Sequence, residues 1–232
     1  MQQLTGLYGT SIGKKVVMAI TGGILVLFVI VHMLGNLKVY FGPAHEGHEA
    51  KIDIYGHFLR TVGHEVVGDE GVLWIFRVVI LVVLALHVTS AILVWRTSQA
   101  ARPVGYKKQQ PVAATLASRS MRWGGLLLAT FIIYHLLHFT TGDAHPAFTY
   151  GEVYRNLVVG FQNPLVAGGY ILGMIFLGLH LYHGIWSGLQ TLGLYSPRAG
   201  GWQRTLAAII AVAVAVGNIS IPVAVLTGII HL

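Results

Sequence analysis

Five long apolar runs constrain this chain more than any other feature: Val16 to Leu37, Val72 to Trp95, Trp123 to Phe139, Leu165 to Leu192, and Leu206 to Leu232. About 20 mostly apolar residues carry a helix across ~30 Å of hydrocarbon. Inside a bilayer the backbone must satisfy its own polar groups, so only helices and closed barrels span it. The runs lack the period-two alternation of a membrane barrel. The expected fold is therefore an all-α integral membrane protein with five transmembrane helices, a single domain over residues 1–232. The spans are expected at about 14–41, 72–98, 119–140, 164–192 and 203–231. The third run is short, Asn218, Ser220 and Pro222 interrupt the fifth, and the outer segment between the third and fourth, up to Asn163, is expected to contain a short surface helix. Composition agrees: 10% of residues are charged, against about 25% in soluble domains.

Charge sorts by loop. With the N-terminus cytoplasmic, Lys14, Lys15, Arg96, Arg102, Lys107, Lys108, Arg119, Arg122, Arg198 and Arg204 fall on the inner side, ten of the fifteen basic residues. All eight acids fall outside. Basic residues near span ends set topology, so the expectation is a multi-pass protein of the cytoplasmic (inner) membrane whose C-terminus lies outside. The net charge of +7 then reports orientation and does not call for a nucleic-acid partner; membrane lipid is the surrounding partner instead. The first apolar run is full length and no small-residue cleavage site follows it, so it reads as a retained span, not a signal peptide.

The chain has no cysteine and twelve histidines. A cysteine-ligated iron–sulfur cluster and a covalently attached c-type haem are both excluded. Histidine is the remaining metal-ligand chemistry. His32, His87, His135, His138, His180 and His183 all fall inside spans, where an ionisable side chain is costly and marks a functional candidate.

Depth sorts these histidines into pairs. His32 precedes Phe41 by nine residues, about 13 Å from the outer end of the first span at 1.5 Å per residue. His135 follows Arg119 by sixteen residues on a span that also runs outward, so it too lies in the outer half. His87 and His180 precede Arg96 and Leu192 by nine and twelve residues, on spans running inward. Each pair comes from two helices that can face one another across a bundle core. Haem suits the gap between two imidazoles in hydrocarbon, being flat, apolar and ligated by neutral histidine. Zinc prefers four tetrahedral ligands, and proton relays normally add Asp or Glu, which these four spans lack. Two haem b groups are the expected cofactors, with His32 and His135 on the outer one and His87 and His180 on the inner one. His138 and His183 lie one turn from His135 and His180, and depth does not separate them; they read as hydrogen-bonding partners of haem propionates or quinone, with ligation by either as the alternative.

Weaker patterns accompany these. Leu-x-Leu-His recurs at Leu84–His87 and Leu177–His180, and Gly22 and Gly125 each precede a span histidine by ten residues. Two similar hairpins plus a fifth span would produce this echo. The pairs Gly169–Gly173 and Gly184–Gly188 point to close helix packing. Gly9 to Lys15 imitates a phosphate loop but is one residue short and lacks the final Ser/Thr.

The stretches SIGKKVVMAITGGILVLFVIVHMLGN, LALHVTSAIL, FIIYHLLHF and GLHLYHGIWS together resemble the single-chain dihaem cytochrome b subunit of succinate dehydrogenase and fumarate reductase (respiratory complex II). The resemblance implies a haem-binding bundle made by the first four spans, with the same ligand pairs. It implies a flavoprotein subunit and an iron–sulfur subunit on the cytoplasmic face, with room for a higher oligomer of the whole complex. It also implies a bound quinone, menaquinone when one chain carries two haems. Ser118 and Arg122 are similar to a serine–arginine pair near the inner quinone pocket of related anchors.

Two mouths could handle quinone: the inner one with Ser118 and Arg122, and the outer one with His57 and Glu65. A second haem in the outer half has a use if electrons cross the membrane, which favours the outer mouth. No dicarboxylate chemistry is expected in this chain. The competing readings are a dihaem cytochrome b of a formate dehydrogenase or hydrogenase, and a metal-ion transporter that captures its ion at His45 and His48.

Overall fold

The computed structural model describes residues 6, 8–42, 49–101, 116–194 and 201–232. Of residues 116–120 only the backbone is described. Five helices are long and apolar enough to cross a membrane. They are α1 (Ser11–Asn36), α4 (Gly71–Ala100), α5 (Leu116–Leu136), α7 (Pro164–Thr191) and α8 (Trp202–Leu226). Three shorter helices, α2 (Lys51–Thr61), α3 (His64–Val67) and α6 (Val153–Phe161), lie between spans at one end, which we call the cap end. No strand occurs among the described residues.

Local chemistry sets several ends. Thr10 begins α1 by accepting the Gly13 N–H through its side chain at 2.9 Å, as an N-cap threonine does. This helix start accounts for the Gly9–Lys15 run. Asn163 caps α7 in the same way at 2.9 Å, with Pro164 in the first turn, where its missing N–H costs nothing. The fifth span ends at Leu226, five residues short of the sequence expectation. Gly228 takes φ 76° there, and the Ile230 N–H turns back to the Ala224 carbonyl at 3.1 Å, a glycine-dependent helix stop.

α1 packs on α4, α7 and α8, α5 packs on α7, and α7 packs most extensively on α8. The first four spans therefore stand in the order α4, α1, α7, α5. Among the described residues, α1 approaches α5, and α4 approaches α7, at no more than isolated backbone points. Neighbouring helices sit about 8–10 Å apart, so the next-but-one pairs leave space between their axes.

The main core lies at the cap end, where Val39, Ile52, Leu157, Val158, Phe161, Tyr170 and Ile221 bury together. A short surface helix was the expectation between the third and fourth spans. Instead α6 is part of this core, with Tyr154, Asn156, Leu157, Val158, Gly160 and Phe161 buried. Its N-cap residue Glu152 makes no side-chain cap bond. Asp53 of α2 supplies one across the fold, its Oδ1 accepting the Tyr154 N–H at 2.9 Å. Burial holds the Asp53 carboxyl above its ordinary value, opposed by the N–H groups of Tyr154 and Val153.

Candidate functional site: two histidine pairs between next-but-one helices

The spans bring together the two pairs of histidines expected from depth. His32 of α1 and His135 of α5 have ring centres 5.8 Å apart, with planes at 84°. His87 of α4 and His180 of α7 have ring centres 6.3 Å apart, with planes at 66°. Both pairs join helices whose backbones do not pack, so side chains alone close each gap.

The protonation of His87 is fixed by its surroundings. Its Nδ1 lies 3.1 Å from the Met18 carbonyl oxygen, which can only accept. Nδ1 must therefore carry the hydrogen in neutral imidazole, and Nε2 keeps its lone pair. Thr21 Oγ1 lies 3.3 Å from the same nitrogen and donates its own proton to Val17 O at 2.7 Å. The ring can come this close to the α1 backbone because residue 22 is glycine. A Cβ there would stand 3.1 Å from His87 Cε1. Across the gap, His180 Nδ1 is buried without a hydrogen-bond partner among the described residues, as are His183 Nδ1 and Trp186 Nε1 further along α7. Arg204 sits over the Trp186 ring at 4.5 Å.

The second pair has aromatic walls. His32 stacks on Phe28 at 5.4 Å, and His135 stacks on Phe131 at 6.0 Å. Tyr170 Oη lies 3.3 Å from His135 Nδ1 and 3.0 Å from His138 Nδ1. His138 is fully buried, with nothing of it exposed. It is enclosed by Tyr134, Phe139, His145 and Tyr170, and its Nε2 has no partner among the described residues. Tyr170 is the hydroxyl that His135 and His138 share.

The remaining candidates are not gathered around either pair. His57 on α2 and Glu65 on α3 are exposed at the cap end. Among the described residues neither side chain makes a hydrogen bond or ion pair. Arg122 is exposed and lies over the Trp95 ring at 6.0 Å, tying the start of α5 to the end of α4. Ser118 is in the first turn of α5, and its side chain lies outside the described residues, as do His45 and His48. Of the four glycines in the two packing motifs, Gly173 alone is tightly covered, by the Phe131 ring.

The cap end holds a polar cluster that the sequence did not single out. Glu70 takes φ 59° just before α4, a conformation that costs a non-glycine residue roughly 1–2 kcal/mol. Its carboxylate pairs with Arg60 at 3.6 Å and accepts the Tyr150 hydroxyl. Arg60 in turn stacks over the Tyr150 ring at 4.9 Å. This cluster ties α2 and the segment before α6 to the head of α4. No pattern in the sequence links residues 60, 70 and 150.

Imidazole nitrogens sit about 2 Å from a first-row metal they ligate. With the ring centre roughly 1 Å beyond each nitrogen, two axial histidines have centres ~6 Å apart. Both pairs match that spacing. His87 also presents an Nε2 lone pair while its Nδ1–H donates to a carbonyl, as a metal-ligating histidine usually does. Among the described residues no three His, Asp or Glu side chains converge, so the donor set suits a metal that needs two protein ligands.

Fold and site together define a multi-pass membrane protein with five candidate spans and paired histidines within them. Residues 98–219 match the family of succinate dehydrogenase/fumarate reductase transmembrane subunits, and the chain belongs to that family. It is the membrane-anchor type of subunit, associated with the catalytic subunits of such a complex. No curated protein and no solved structure matches it.

Proposed function

We propose that this chain passes electrons between the catalytic subunits of its complex and a quinone, through two haem b groups held by His32 with His135 and His87 with His180. The observation that carries this reading is the pair of ring-centre distances, 5.8 and 6.3 Å, each closing a gap between helices that do not otherwise pack. Bound haem would supply a one-electron iron centre, and the two histidines of each pair would hold it for electron transfer.

The chain's own residues hold and orient. Met18 and Thr21 fix the His87 tautomer, and the aromatic walls at His32 and His135 keep water from that pair. The unpartnered His183 Nδ1 and Trp186 Nε1, with Arg204 beside them, suit an anionic group such as a propionate at the end away from the cap.

The cap end is the outer side in this reading. A flavoprotein and an iron–sulfur protein then dock on the opposite, cytoplasmic face, where the basic residues gather. The absence of cysteine requires that the clusters lie in a partner. Quinone, with menaquinone as the species, exchanges at the outer mouth in this scheme, and His57 and Glu65 are its candidate groups. Arg122 and Ser118 serve the inner alternative.

The test is a pyridine haemochrome assay on the complex purified from membranes. Two haems per chain are expected, low-spin when reduced and unchanged by carbon monoxide. One haem, or a ferrous form that takes up carbon monoxide, would overturn the scheme. Glu65→Gln should lower quinone-linked turnover while oxidation with an artificial acceptor persists. Loss on Arg122→Leu with Glu65→Gln silent would move the quinone site inward.

A further inference from the structure

We infer that Tyr170 is a positioning residue for His135, the middle member of a directional hydrogen-bond relay His135–Tyr170–His138 that sets the electron-donating strength of one axial ligand. This rests on the haem reading above.

Tyr170 Oη is within hydrogen-bond reach of two imidazole nitrogens, His135 Nδ1 at 3.3 Å and His138 Nδ1 at 3.0 Å. A phenol has one hydrogen to give. The oxygen could accept from both rings, but only an arrangement in which one imidazole donates and the other accepts gives the hydroxyl hydrogen a partner in this cluster. Two directions are possible in principle, and ligation chooses between them. A histidine that offers Nε2 to a metal carries its hydrogen on Nδ1. His135 thus donates to Tyr170 Oη, Tyr170 donates to His138 Nδ1, and His138 carries its own hydrogen on Nε2. That last N–H is buried and has no partner among the described residues.

The orphan group is held in place deliberately by its neighbours. Residue 160 is glycine, and a Cβ there would lie 2.9 Å from His138 Cε1 and 3.2 Å from His145 Nε2. His145 stacks on His138 at 4.9 Å and is itself locked, donating from Nε2 to Asn156 O at 2.8 Å and accepting the Ala147 N–H on Nδ1 at 3.1 Å. His138 therefore has one hydrogen-bond partner available, Tyr170, and is oriented toward it by packing on three sides. An imidazole that donates its second N–H becomes a more basic ligand, and a phenol that is itself donating is a better acceptor through cooperative polarisation.

The experiment is a redox titration, followed optically, of the purified complex carrying Tyr170→Phe. The ring contacts of Tyr170 with Phe131 and Phe161 are kept by phenylalanine, so both haems should be retained. The component lost in His135→Leu should shift to a higher midpoint potential in Tyr170→Phe, because the oxidised iron loses ligand basicity. The component lost in His87→Leu should not move. His138→Phe should shift the same component in the same direction by less, since it weakens the acceptor without removing it. A Tyr170→Phe protein with both haems and unmoved potentials would overturn the relay and leave the haem reading standing. A larger shift from His138→Phe than from Tyr170→Phe would also overturn it. A native protein without haem, or a His135→Leu protein with unchanged haem content, would overturn both.

Discussion

The two histidine pairs use the same type of side chain but are supported differently. His87 is oriented by the main chain of α1, through the Met18 carbonyl and a glycine that lets the ring approach. His135 is oriented by side chains, Tyr170 and behind it His138, which in turn lean on α6 and the segment before it. A backbone acceptor survives any substitution of the residue that carries it. A side-chain acceptor can be removed or tuned by one mutation. The pair near the cap end is thus the adjustable one, and the other is fixed by the helix that passes it.

The largest expected effect breaks the pairing itself. His87→Leu and His180→Leu should each abolish the same half of the haem spectrum, and His32→Leu and His135→Leu should each abolish the other half. If His87 and His135 changes removed one common component, the pairing across next-but-one helices would be wrong. A somewhat smaller effect is expected from Gly22→Val. Its branched side chain has to enter space where even a Cβ is 3.1 Å from the His87 ring. Loss or displacement of the His87–His180 component should follow, with the His32–His135 component intact in the reduced-minus-oxidised spectrum.

Asp53 tests the support of the cap-end pair from further away. Asp53→Ala removes the cap on α6 and should cost about 1 kcal/mol in thermal unfolding, with any spectral change confined to the His32–His135 component. Asp53→Asn keeps an acceptor for Tyr154 N–H and should be at least as stable as the native protein at neutral pH. The sign follows from burial, which raises the folded carboxyl value above its ordinary one. Protonation then favours the fold, so this contribution is complete in acid and is lost as pH rises through the folded value. Asp53→Asn should flatten that part of the stability profile, and a native profile that already lacks it would refute the assignment.

The smallest effect sharpens the contrast. Thr21→Val deletes the hydroxyl near His87 Nδ1 but leaves the Met18 carbonyl. Its shift in the His87–His180 midpoint potential should be much smaller than that of Tyr170→Phe in the other component. Equal shifts would mean that main-chain and side-chain support do not differ in the way described.

Much of this was legible in the sequence because membrane insertion is a one-dimensional constraint. The length of an apolar run fixes a span, and position along a span fixes depth. Depth sorted His32 with His135 and His87 with His180 before any contact was known, and the structure brings those rings together. Periodicity and depth say nothing about azimuth or about contacts between distant segments. That is why α6 read as a surface helix when it is buried, and why Asp53, Arg60, Glu70, Tyr150 and Tyr170 drew no attention. Each acts across a long separation in the chain or through a partner on another helix. His138 shows the limit most clearly. One turn from His135, it was read as facing the same ligand, yet it is turned into the packing between α5, α6 and α7. The sequence alone determined the five helices and the levels of the histidines, because hydrophobic length and ligand chemistry are local. Which nitrogen of His87 carries the hydrogen, and which groups hold His135 and His138 in place, was decided only by tertiary packing, where segments far apart in sequence meet.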